Sequence, residues 1–277
     1  MTAWLGVLVV LLVAAFVVLG MGRPADRRRD AAWLAGTALV PPDEAEVYAR
    51  YLARLRAHRR IGGLLGVAFG VTVGIAWGGT LTVGIGRNGP LADPLFCGIA
   101  GVLLGALSAE TYRLRLPLAA GASASLAPRP ALPGGTQVTA ARWLAGLAVA
   151  GGLALLVAGR GAGALAATLI CAVAAGLCAL TRHAVRHRRR AALAPRALVV
   201  DGNLRAFAGR TVAWLEVACG ALAVAWFGSG LPDGAGVLAV VVSLGGLVGA
   251  VVCLVKASPR PPRRVEPADV VRPVVDA

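Results

Sequence analysis

Long runs without a charged side chain, separated by connectors dense in arginine, constrain this chain more than any other feature. Residues 3–21 carry no charge, nor do 61–79, 95–109, 143–159, 161–181 and 236–255. The run 211–227 is broken once, by Glu216. A helix rises about 1.5 Å per residue, so about 20 apolar residues cross a hydrocarbon core of about 30 Å. Lipid offers no partner for a backbone N–H or C=O, and a helix satisfies both within the segment. The expected fold is therefore all-α: a polytopic transmembrane bundle of about seven helices. The edges of the third and fourth spans are the least defined, because those runs are short.

The composition agrees. Only 15% of residues are charged and 58% are hydrophobic, with a mean hydropathy of +0.76. Soluble domains carry roughly 25% charged residues. The net charge of +15 would suggest nucleic acid as a partner for a soluble protein. Here the charges fill the gaps between apolar runs, which points to membrane topology, and no nucleic acid is expected.

Those gaps alternate. Residues 22–60 hold nine basic side chains, 110–142 four, 182–210 eight, and the tail from Lys256 five. The intervening loops hold only Arg87 and Arg160. Basic residues in short loops stay in the cytosol. One orientation places 26 of 28 basic residues inside, with the N-terminus out and the C-terminus in, and the cell (plasma) membrane is the expected address. Arg23 and Arg27–Arg29 follow the first run rather than precede it, so that run reads as a retained anchor, not a cleaved signal peptide. Trp4, Trp77 and Trp226 at one boundary, with Tyr112, Trp143 and Trp214 at the other, are expected to form an aromatic belt.

The resulting organisation is an N-terminal anchor (1–21), a basic cytosolic segment with an amphipathic helix (22–60), and a six-helix bundle of three hairpins (61–256). Cytosolic linkers occupy 110–142 and 182–210, and a Pro-rich tail (257–277) is expected to be disordered. In the cytosolic segment Asp43, with Glu46 three residues on, has the pattern of a capping box. Val47, Tyr48, Tyr51, Leu52 and Leu55 then share one side of the helix, with Arg50, Arg54, Arg56, Arg59 and Arg60 on much of the rest. These five arginines are expected to lie toward the anionic inner leaflet, and a plain positive-inside anchor is the preferred reading of them. Asp201 is a second candidate cap.

The most specific pattern is a glycine every fourth residue in the second run: Gly62, Gly66, Gly70, Gly74 and Gly78. Positions four apart share a helix face, and glycine lets helix backbones approach in lipid. Cys97, Gly101, Gly105 and Ala109 offer a matching strip in the third run. Weaker strips are Ala164, Thr168, Ala172 and Gly176, and Gly245, Gly249 and Cys253. Packing within one bundle is the plain and preferred reading; an oligomer interface or a sliding surface in a transporter is the functional one.

Few residues invite chemistry. Glu216 is the one charge well inside a run, and such a residue is a functional candidate by default. It also lies close enough to the inner boundary to pair with Arg210 or Arg142. His183 and His187 have metal-face spacing but stand among Arg182, Arg186 and Arg188–Arg190, which repel a cation. The five cysteines all lie inside apolar runs, without a C-x-x-C pair, and read as small packing residues. No catalytic or cofactor fingerprint is present, and the expectation is no enzyme, no cofactor and no metal.

The stretches EVYARYLARLRAHRRIGGLLGVAFG, PLADPLFCGIAGVLLGALSAETYRLR and DGNLRAFAG resemble a family of actinobacterial multi-pass membrane proteins with no assigned activity. That resemblance implies a membrane address and carries no functional residues. The expected role is a non-enzymatic membrane scaffold or accessory component, with the lipid bilayer, other membrane proteins or a second copy of the chain as partners. A small-solute transporter or channel is the alternative.

Overall fold

The computed structural model describes residues 27–37, 39–76, 92–111, 131–159, 162–187, 195–259 and 261. These form seven α-helices and one short 3-10 turn, with no strand among the described residues. The helices are α1 (Arg27–Ala35), α2 (Pro42–Ala76), α3 (Ala92–Thr111), α4 (Gly135–Val157), α5 (Ala162–His187), α6 (Pro195–Ser229) and α7 (Gly236–Lys256). Four of them, α4 to α7, are long and apolar enough to cross a membrane, and 96–111 in α3 is a shorter apolar helix. The apolar half of α2 is described only to Ala76. The N-terminal anchor (1–21) and the tail from 262 onward lie outside the described residues, as do Trp4, Trp77, Gly78 and Tyr112.

Two helix starts differ from expectation. In α2 the chain enters through Pro41, whose carbonyl accepts from Ala45 N at 2.9 Å. Pro42 thus occupies the first helical position, where its missing N–H is harmless and its fixed φ is already helical. Asp43 lies inside the first turn rather than at the cap, and Glu46 pairs with Arg50 instead of reaching back. Likewise α6 begins at Pro195, so Asp201 is an interior residue, ion-paired to Arg205 at 2.6 Å. The short helix α1 had no periodic signal to announce it.

Side-chain contacts fix the relative directions. Gly62 and Gly66 of α2 meet Gly101 and Cys97 of α3, so these two run antiparallel. Gly228 and Gly246 place α6 and α7 antiparallel, and Arg182 on Gly209 does the same for α5 and α6. Gly220 beside Ala141 and Gly151 beside Phe227 make α4 and α6 parallel. Tyr48 beside Asn203 and Tyr51 beside Phe207 make α2 and α6 parallel. The N-terminal halves of α2 and α6, the start of α4 and the ends of α3, α5 and α7 therefore share one end of the bundle. That end carries almost every charged side chain of the described helices.

Helix α6 is the axis. Most of its residues are buried, and α4, α5 and α7 pack around it. The outer faces of these three are apolar and exposed, with Leu147, Val173, Leu180, Val241, Val248 and Val255 among them. Such a surface suits lipid rather than water. Helices α2 and α3 pack chiefly on each other and join the axis through Tyr48 and Tyr51 of α2 and through Phe96 of α3, edge-on to Trp226 at 4.6 Å between centroids. Trp226 is thus a buried core residue, not a member of an aromatic belt, because its ring fills the gap between α3 and α6. Trp143, by contrast, is exposed beside Arg142.

Candidate functional site: the charged end of the bundle

Helices α2 and α6 each contain 35 residues. At about 1.5 Å per residue each extends about 52 Å, well beyond a hydrocarbon core of about 30 Å. Both project at the same end, side by side, and α1 lies against them. Trp33 and Tyr51 each meet the edge of Phe207, with centroids 5.3 and 6.0 Å apart. Asn203 Nδ2 donates to Tyr48 Oη at 3.1 Å. Burial pushes the Tyr48 phenol up, against the opposing pull of the Asn203 hydrogen bond. Leu52 and Leu55 complete this buried layer.

The end of α7 is held by two arginines of α2. A helix leaves its last four carbonyls without intrahelical partners, and cations are favoured there. Arg59 is 5% exposed and donates to Ala257 O at 2.6 Å and Leu254 O at 2.8 Å. Arg56 donates to Pro259 O at 2.7 Å and grips the buried Asp30 carboxylate of α1 at 2.6 and 2.9 Å. One side chain so joins α1, α2 and the chain leaving α7. Arg182 does the same elsewhere, donating to Leu132 O at 3.0 Å and Gly209 O at 3.2 Å. Tyr51 Oη donates to Glu110 Oε1 at 2.5 Å, tying the end of α3 to the N-terminal half of α2. Lys256 Nζ stands 4.9 Å from the centre of the Trp214 ring, a cation–π contact.

The five arginines expected at the inner leaflet therefore divide. Arg50 is exposed and bonded to Glu46, whose carboxyl is held below its ordinary range by that bond and charge. Arg54 and Arg60 are half-buried, with Arg54 6.0 Å from the Tyr51 ring centre. Arg56 and Arg59 turn into the protein. Their helix positions were legible; the carbonyls they meet, some 200 residues away in sequence, were not.

The glycine pattern meets its expected partner strip. A Cβ on Gly62 would land on the carbonyl oxygen of Gly101, and one on Gly66 on that of Cys97. Reciprocally, Gly101 is closed off by Gly62 O and Gly105 by His58 O. Gly70 is buried, and Gly74 continues the helix. The weaker strips hold in part: a Cβ on Gly249 would meet the Ala221 Cβ at 3.6 Å and Cys253, Ala164 and Thr168 are buried, whereas Gly245 and Gly176 are open. On α7 it is Gly246 that abuts Ala221 and Ala225, while Gly245 faces open space. On α5 the buried face is Ala164, Thr168, Cys171, Ala175 and Cys178, and Gly176 is open.

Glu216 is 2% exposed and 3.9 Å from Arg142 Nε, the nearer of its two proposed partners. Its Oε2 has no hydrogen-bond partner. Arg142 is largely exposed, so the pair sits where the bundle interior meets its charged end. His183 and His187 stack at 3.9 Å between centroids on the exposed side of α5. All five cysteines are buried with free thiols, and Cys178 and Cys219 approach to 3.9 Å between sulfurs. Among the described residues no cluster of three or more His, Cys, Asp or Glu could hold a metal ion.

The helical architecture, with several apolar candidate spans, fits a membrane protein. Comparison with known protein families, with characterised proteins and with solved structures gives no match.

Proposed function

We propose that this chain is a multi-pass protein of the plasma membrane, N-terminus outside and C-terminus in the cytosol, acting as a non-enzymatic scaffold or accessory component. The observation that supports this reading is the packed helical platform at the charged end. There Asp30, Arg56, Arg59, Tyr51 and Glu110 are engaged with one another or with helix-end carbonyls. A projecting, internally bonded platform offers a rigid cytosolic face to a partner, whereas a solute pathway calls for several polar groups turned into a cavity. The resemblance to actinobacterial membrane proteins is compatible with the same role.

Two experiments test it. Mild solubilisation, tagged pull-down and mass spectrometry should return a defined protein partner; recovery of lipids and chaperones alone would remove the scaffold reading. Cysteine placed at Gly121 should be protected from an impermeant reagent added to intact cells, and cysteine at Ser229 should react. The reverse pattern would invert the orientation.

The transporter or channel reading draws on one feature, the buried Glu216 with its unbonded oxygen. Flux lost in Glu216→Gln, with folding intact, would favour it.

A further inference from the structure

We propose that Cys178 and Cys219 together bind one soft monovalent metal ion, Cu(I) or Ag(I), as a two-coordinate bis-thiolate between α5 and α6. The two sulfurs already face each other at 3.9 Å across the helix interface, and both residues are almost wholly buried. With a metal–thiolate bond of about 2.3 Å, that gap is bridged at an S–metal–S angle of about 116°, and a straight bridge asks the sulfurs to part by only about 0.7 Å. Thiolates select soft ions. Zinc normally takes four ligands, and no cluster of three ligating side chains exists among the described residues. A two-coordinate ion is the one class this pair can satisfy alone.

Binding breaks two S–H bonds, forms two metal–sulfur bonds and releases two protons to the buffer, leaving a bridge of net charge −1. Arg182 follows Cys178 by four residues and Glu216 precedes Cys219 by three, so each lies one turn away on the same side of its helix. This inference stands apart from the scaffold reading and survives or fails without it.

The test is competition for Cu(I) against bicinchoninate, using the purified full chain in detergent with a non-thiol reductant. The wild-type protein should withdraw one equivalent of Cu(I) per chain, and X-ray absorption of that complex should find two sulfur neighbours. Cys178→Ser and Cys219→Ser should each lose the equivalent, while Cys97→Ser on α3 keeps it. No withdrawal by the wild type would overturn the proposal, whatever the variants do. So would retention of the equivalent in the folded Cys178→Ser/Cys219→Ser double variant, which would place copper on other groups such as the stacked histidines.

Discussion

The contact between α2 and α3 makes a sharp prediction about single methyl groups. Gly101 faces Gly62 with no side chain on either helix, and a Cβ on Gly101 would overlap the Gly62 carbonyl oxygen and crowd the Gly66 Cα. Backbone cannot swing aside as a side chain can, so Gly101→Ala must push the helices apart along the whole strip from His58 to Gly66. Overpacking a filled interface costs about 1–3 kcal/mol, and a rigid obstacle on both sides puts this site at the upper end, about 2–3 kcal/mol. The control is Gly176→Ala on α5, where nothing lies within 4 Å. Alanine is better than glycine in a helix by about 1 kcal/mol, so this variant should be neutral or slightly more stable. The two substitutions are chemically identical and differ only in what the methyl meets. Reversible unfolding in mixed micelles, followed by circular dichroism, should separate them by about 3 kcal/mol, a factor on the order of 100 in the folded population. A second alanine, at Gly62, should add little to Gly101→Ala, because the helices have already separated. Equal effects at Gly101 and Gly176, or a wild-type Gly101→Ala, would refute close backbone packing as the basis of this hairpin.

Three further outcomes follow from the charged end. Arg59→Met keeps the volume but removes two charge-assisted hydrogen bonds, each contributing about 1.5–3 kcal/mol; it should lower stability by about 3 kcal/mol or more and speed proteolysis after α7, while the exposed Arg196→Ala stays within about 0.5 kcal/mol. Glu216→Gln should melt within about 1 kcal/mol of wild type, because its partner Arg142 is largely exposed and 3.9 Å away; a loss of several kcal/mol would show that the carboxylate is more deeply engaged. Tyr48 has its folded pKa raised by burial, so its contribution is complete below about pH 10 and is lost as pH climbs through the raised value. Melting between pH 9 and 11 should therefore fall more steeply for wild type than for Tyr48→Phe, and parallel curves would contradict the burial of that hydroxyl.

The parts legible in the sequence are those governed by a local rule. Four apolar runs, 143–159, 161–181, 211–227 and 236–255, lie on α4 to α7, because a chain that must satisfy its own backbone groups has one economical solution. The Gly62–Gly101 contact was legible for a similar reason: a four-residue spacing defines a face whatever the face meets. The errors came where a partner from elsewhere decided the outcome. Asp43 and Asp201 look like caps to a reader of short windows, yet a proline upstream starts each helix first. Trp226 looks like a boundary residue until Phe96 is found against it. Spacing placed Gly249 and Cys253 of α7 and Ala164 and Thr168 of α5 on the packed faces, but only the crossing with α6 chooses between Gly245 and Gly246.

Two kinds of packing meet in this molecule, and their boundary explains the arginines. In the apolar belt of a bilayer, the setting proposed above, helices gain nothing from burying more hydrocarbon, since lipid is equally apolar, and close contact rests on small residues such as Gly62, Gly101, Gly220 and Gly246. Beyond the belt water returns, and large apolar groups again drive association; there Trp33, Tyr48, Tyr51, Leu55 and Phe207 form the buried layer. Between the two zones lie the helix ends, whose free carbonyls face neither lipid nor one another with comfort. A long side chain that reaches such a carbonyl with a fixed charge and several N–H groups is arginine. Arg56, Arg59 and Arg182 stand at that level, and each bonds the end of a helix or loop it does not belong to. Their abundance in the connectors therefore carries two meanings at once: in the membrane topology proposed above it biases the side each connector takes, and it closes helix ends that the apolar helices leave open.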